Sequence, residues 1–158
     1  MEKVRIDAVD QPETSSPADV VRPLSDALGT TDLAINHFEL EPGDSIGYEY
    51  HRHLDQEEVF VVQQGTVTFE TESGGVEVSA GEVIRFAPGE FQLGRNRNEG
   101  RATVLAFGAP RETEEIEYYR ECPDCGEETV QVPEFDEDSE RLRIRCTECE
   151  AVTEEIPL

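Results

Sequence analysis

The chain has 158 residues, with 37 Asp and Glu against 13 Lys and Arg and a formal net charge of -24. That charge excludes nucleic acid and an anionic membrane surface as partners, because gripping a polyanion depends on clustered cations that release its counterions. The length allows one ordinary core, or a domain of roughly 100 residues with a small appendage that a metal must help to fold.

Residues 1–30 read as an N-terminal arm. The stretch Gln11-Pro12-Glu13-Thr14-Ser15-Ser16-Pro17 is rich in Pro, Ser and acid and has no apolar period, whereas Val20 to Leu28 predicts a short helix with Pro23 in its first turn and Gly29 as its stop. From Thr31 the pattern changes to strand period. Leu33 to Leu40 ends at the turn pair Pro42-Gly43; Glu58 to Val62 and Thr66 to Thr71 follow. Gly74-Gly75 then supplies the positive φ of a tight hairpin before Val76 to Ser79, and Val83 to Phe86 and Thr103 to Phe107 complete the set. Short, closely spaced strands of this kind predict an antiparallel sandwich or barrel over residues 31–112 rather than βαβ units. After Gly108-Ala109-Pro110 the chain turns Glu-rich, which places a boundary near Arg111 to Glu117. Residues 113–158 are too polar to bury a core of their own.

The chemistry concentrates between Gly47 and Gly65. In a strand, residues two apart face the same side, so His51 and His53 project together while Tyr50 and Arg52 point away. Glu58 opens the next strand, and a hairpin return would bring its carboxylate beside them. Two imidazoles and one carboxylate suit a divalent transition ion: Fe, Mn, Ni, Zn or Cu. His37 is out of phase with Phe38 and Leu40 and reads as an outward or interface residue. Arg85 either meets an anionic substrate or solvates the sheet.

These residues resemble the cupin superfamily. Its first motif runs Gly, five residues, His-x-His, three or four residues, Glu, six residues, Gly, and His51, His53, Glu58 and Gly65 fit its last four points. The leading Gly falls at Ser45, flanked by Gly43 and Gly47. In the second motif Gly81, Gly89 and Asn96 align and the proline shifts by one to Pro88. Gln92 stands where the family carries its third metal-binding histidine. The resemblance covers about residues 31 to 110 and implies an all-β, cupin-type jelly-roll barrel that takes a small-molecule ligand or substrate and associates as a homodimer. Two readings of the pocket follow. In one, His51, His53 and Glu58 hold a metal with Gln92 as a weak fourth ligand or a donor to substrate, and the barrel transforms a small polar metabolite by oxygenase- or isomerase-type chemistry. In the other, the barrel is a non-catalytic binding or regulatory module.

Cys122-Pro123-Asp124-Cys125 and Cys146-Thr147-Glu148-Cys149 are two C-x-x-C knuckles separated by twenty residues. Four thiolates at that spacing suit one structural, tetrahedral Zn²⁺. Between them Glu128 to Val132 and Arg141 to Arg145 predict two strands joined by an acidic loop from Pro133 to Glu140. This resembles a zinc ribbon; an iron site of the rubredoxin kind is the competitor, and Glu150, in place of a knuckle glycine, speaks against it. In so acidic a setting the ribbon packs on the barrel or meets a protein partner.

The acidic excess runs through the whole chain, and a self-repelling surface of this kind is tolerated where salt screens it, which predicts a salt-rich cytoplasm. The segment Met1 to Asp7 lacks the apolar stretch of a signal peptide, and no apolar run approaches the ~20 residues of a membrane span. Paired cysteines that serve as metal ligands fit the same reducing compartment.

Overall fold

Alternation of apolar and polar side chains builds almost everything between Ala34 and Ala109, because each strand buries one face and solvates the other. The computed structural model describes residues 1–12, 16–136 and 141–157. Its strands are β1 (Val20–Pro23), β2 (Ala34–Leu40), β3 (His51–His53), β4 (Glu57–Gln64), β5 (Thr66–Thr71), β6 (Gly74–Ser79) and β7 (Val83–Phe86). These are followed by β8 (Gln92–Arg95), β9 (Ala102–Ala109), β10 (Ile116–Cys122), β11 (Glu127–Asp136), β12 (Arg141–Cys146) and β13 (Val152–Pro157). One helix, α1 (Leu24–Leu28), and a 3-10 turn over Ile6–Ala8 are the helical elements described.

Two antiparallel sheets face each other. The smaller has the order β1-β2-β9-β4-β7; the larger runs β13-β12-β11-β10-β3-β8-β5-β6. Their inner faces meet in one core of Phe38, Leu40, Phe60, Val62, Val67, Phe69, Val78, Phe86 and Val104. At its centre the ring centroids of Phe60 and Phe69 lie 5.0 Å apart and those of Phe69 and Phe86 5.6 Å, spacings within the favourable range for aromatic pairs. This is an all-β jelly-roll arrangement. Gly65 turns β4 into β5 with φ 74°, and a Cβ there would lie 2.7 Å from the Arg101 carbonyl oxygen, so no other residue fits. Asn96, fully buried, donates through Nδ2 to the carbonyls of Leu40 (2.9 Å) and Gly100 (2.8 Å) and pins the loops at one end of the barrel.

Several local expectations change. Val20–Pro23 is a strand, not the first half of a helix, because its β-branched pair joins β2 in register and the helix begins only after Pro23. The hairpin loop between β5 and β6 is Glu72-Ser73; Gly74 takes the positive φ and already pairs with Thr71. Pro133 to Asp136 continue β11 instead of opening a loop. Pro133 is tolerated because β10 pairs only as far as Gln131, so the side of β11 without a ladder partner receives the missing donor. The remainder of the expected acidic loop, 137–140, lies outside the described residues, as do 13–15 of the arm.

The cysteine-bearing strands are also not a separate sheet. β10 pairs with β3 through Ile116↔His53 and Tyr118↔His51, so the barrel's larger sheet continues unbroken into β11, β12 and β13. On its outer face Arg52 bridges the junction, pairing with Glu117 at 2.6 Å and lying 4.4 Å over the Phe91 ring.

Candidate metal centres

His51 and His53 share one face of β3, and Gln92 lies directly across from His51 on β8. Glu58 arrives differently from the expected hairpin. Leu54, Asp55 and Gln56 cross from the larger sheet to the smaller, so Glu58 points inward from the opposite sheet, on the same face of β4 as Phe60 and Val62. The site is therefore built across the barrel, and one ligand atom from each of His51, His53 and Glu58 falls within 4.8 Å of the others.

Hydrogen bonds fix both imidazoles in the same sense. Nδ1 of His51 lies 2.8 Å from the Glu49 carbonyl oxygen, which can only accept, so the proton sits on Nδ1 and the lone pair on Nε2. The Thr113 hydroxyl donates to Asp55 at 2.6 Å and therefore accepts from His53 Nδ1 at 3.1 Å, which again leaves Nε2 free. Second partners of this type orient metal-binding histidines generally. Gly47 makes room for the His51 ring: a Cβ there would lie 3.1 Å from its Cε1.

Burial sets the electrostatics. It lowers the affinity of both imidazoles for a proton, taking His53 to about 4 with help from the neighbouring His51, and it raises Glu58 to about 7 against the opposing hydrogen bond from Gln92. The nearest basic group to Glu58 is His53, 3.9 Å away and neutral at these values. Gln92 is itself buried. Its Nε2 donates to Glu58 Oε2 at 3.0 Å and lies 3.3 Å from His51 Nε2, while its Oε1 has no partner. Two aimed lone pairs, a carboxylate without a cation and an orphaned amide oxygen make a donor set that fits a divalent ion.

The second cluster is Cys122, Cys125, Cys146 and Cys149, whose sulfurs lie within 4.8 Å of one another. Sγ of Cys122 is 3.7 Å from that of Cys149, and Sγ of Cys125 is 3.9 Å from that of Cys146. A regular tetrahedron with Zn–S of about 2.3 Å has edges of about 3.8 Å. The knuckles turn through Gly126 at φ 73° and Glu150 at φ 62°, the latter a conformation that glycine adopts more readily. The Thr129 hydroxyl, 3.3 Å from Cys146 Sγ, lowers that thiol to about 6, and the proton shared with Cys149 raises Cys125. Reading residues in order found all four cysteines because their spacing is local. It had no means of finding Thr113, Asp55 or the Glu49 carbonyl, which reach the histidines only through the fold.

His37 lies on the outer face of β2, away from the barrel site, but it is not exposed there: it pairs across from Arg22 on β1, shares a cleft with Arg5, Ile6 and Asp7, and is 8% exposed, with its proton affinity lowered by burial. Arg85 pairs with Glu57 on the outer face of the smaller sheet, away from the pocket.

A family model described as a cupin domain matches residues 36–108. No curated protein sequence matches. Among solved structures, a sugar phosphate isomerase of the cupin superfamily from Silicibacter pomeroyi DSS-3 is similar at a TM-score of 0.69 and 20% identity, over 99% of this chain and 96% of that one. A putative sugar phosphate isomerase from Acidithiobacillus ferrooxidans gives 0.55 at 20% identity, over 75% of this chain and 85% of that one. A predicted oxalate decarboxylase from Thermotoga maritima gives 0.58 at 22% identity, over 68% and 98%. With the jelly roll, both histidines, Glu58 and Gly65 in place, residues 36–108 are similar to a cupin domain.

Proposed function

We propose that the protein is a metal-dependent cupin that binds a small polar metabolite at His51, His53 and Glu58 and transforms it there. The convergence of two tautomer-fixed Nε2 lone pairs on a buried carboxylate carries this reading. A divalent transition ion in the site, Fe, Mn, Ni, Zn or Cu, would supply Lewis-acid polarisation of a bound oxygen. The chain's own part is to present the two imidazoles, hold Glu58 beside them and turn the Gln92 amide. Rotating that amide would present its oxygen to a cation, while its NH₂ can instead donate to a substrate oxygen. The neighbours named as isomerases and as an oxalate decarboxylase support a reaction on a small oxygen-rich molecule. Zinc at the four cysteines is part of the same proposal, supported by the sulfur spacing.

One observation favours the second reading, a binding or regulatory module without catalysis. The Gln92 NH₂ group bridges Glu58 and His51, two acceptors that a cation would otherwise join. Competition with a chelator at high salt separates the two. Gln92→His is expected to raise affinity for a first-row ion by about tenfold, and Glu58→Ala to lower it by about a hundredfold. If all three proteins bind equally, the pocket is not a metal site. An enzyme that uses the position at Gln92 would gain metal and lose rate in Gln92→His; a binding module would gain metal alone.

We further infer a homodimer in a salt-rich cytoplasm. β6 and β7 each end a sheet, and they carry Val76 and Val83 exposed at 41% and 63%, an edge of the kind that association covers. Light scattering in molar KCl should give twice the chain mass; the mass of a single chain would refute the dimer.

A further inference from the structure

Residues opposite one another on neighbouring antiparallel strands project from the same face. The pairings Gln92↔His51, His51↔Tyr118, Tyr118↔Gln131 and Gln131↔Cys146 therefore form one row across the larger sheet, with the barrel site at one end and a cysteine ligand at the other. On that same face Tyr118 and Arg120 of β10, Ile144 of β12, and Glu154 and Ile156 of β13 join Tyr48 and Glu49 around a cleft of about 380 Å³. Volumes of this order accept small metabolites. The cleft adjoins the barrel site directly: the Tyr118 ring centroid is 6.5 Å from that of His51, and the Glu49 carbonyl is the group that holds His51 Nδ1.

We propose that this cleft is a binding subsite for an uncharged, polyhydroxylated ring compound, with the cysteine-bearing strands as its outer wall. The inference rests on the metal-site reading above and assigns the substrate class. Arg120, the cleft's cation, is already saturated. It meets Glu154 at 2.7 Å, Glu49 at 3.7 Å, the Gln131 side-chain oxygen at 3.0 Å and the Thr153 hydroxyl at 3.3 Å. Two carboxylates against one guanidinium leave the cleft negative. The same holds elsewhere, since each of the twelve arginines of the chain has a carboxylate within ion-pair distance. A phosphate ester would thus have to displace a carboxylate and enter a negative field, whereas hydroxyl groups can donate to Glu49 and Glu154 without either cost. The tyrosine ring faces and the two isoleucines offer the apolar wall on which the C–H face of such a ring packs.

The test uses the metal-loaded full chain in molar KCl, with D-glucose, D-mannose and D-fructose as probes and their 6-phosphates as the opposing arm. Binding is read by saturation-transfer NMR and titration, and metal content is measured on the same samples. At least one neutral hexose should bind, its 6-phosphate about tenfold or more weaker. Tyr118→Ala should weaken that hexose by about tenfold with metal content unchanged. Ile156→Glu, at the exposed rim, should do the same if Tyr118→Ala fails to fold. Glu49→Gln with Glu154→Gln should free Arg120 and reverse the preference toward the phosphate. Tighter binding of a 6-phosphate by the wild type, no binding of any neutral hexose, or hexose binding unaffected by these wall variants would overturn the subsite. Loss of the metal reading would appear separately, as metal content that does not depend on His51 and His53.

Discussion

The His51→Ala, His53→Ala double variant is expected to carry one metal ion fewer per chain than the wild type and to keep the ion at the cysteines. The two ligand sets share no residue, and one member of each, His51 and Cys146, stands toward opposite ends of one row of the larger sheet. Removing both imidazoles leaves, of the donor set found among the described residues, Glu58 and the Gln92 amide that donates to it, too few ligands to hold a transition ion at stoichiometric occupancy. The fold should survive. Neither histidine belongs to the apolar core, and β3 keeps its pairing with β8 and β10 through the backbone. Elemental analysis of dialysed protein, with the far-ultraviolet spectrum as a folding check, reads the outcome. An unchanged metal count would remove the barrel site and with it the proposed chemistry.

What the sequence disclosed follows from range. The His51-x-His53 alternation and the two C-x-x-C knuckles are local, and backbone geometry alone places their side chains together. Gly65 was legible through the cupin pattern, and its φ of 74° against the Arg101 carbonyl is the physical reason that a glycine stands there. The misread parts depend on partners distant in sequence. Glu58 looked like the far side of a hairpin because it follows His53 closely, yet Leu54 to Gln56 cross between sheets. Val20 and Val21 became a strand because β2 offered an edge, and Pro133 stayed in one because the β10–β11 ladder stops at Tyr118↔Gln131. Most consequential is β10. Ile116 to Cys122 has two tyrosines among charged residues and no clean alternation of polarity, so nothing in its composition shows that it extends the barrel sheet toward the cysteines. The Glu-rich composition marks a change of content there, while the hydrogen bonding runs straight through.

That continuity makes the consequence of losing the cysteine site asymmetric. Cys146→Ser is expected to leave 123–157 open to proteolysis while the barrel keeps its own ion. Beyond β10 the fully buried side chains described are Gln131 and Cys146, with Ile144 at 2% exposure, so these strands have almost no apolar core to hold them once the sulfurs lose their common partner. Ion binding at a structural four-ligand site contributes about 10 to 16 kcal/mol, far more than the packing there can replace. On the barrel side, β10 keeps its ladder with β3, Arg52 keeps Glu117, and Thr113 keeps its hydrogen bonds to Asp55 and His53. The His51, His53 and Glu58 donors therefore stay in place. Limited proteolysis followed by mass measurement should release fragments from within 123–157 in Cys146→Ser and none in the wild type, with the barrel metal retained in both. Equal resistance in the two proteins would show that the C-terminal strands hold themselves without an ion. Loss of the barrel ion in Cys146→Ser would instead show that strain passes along the row through Tyr118 and Gln131, and that the two centres are coupled rather than merely joined.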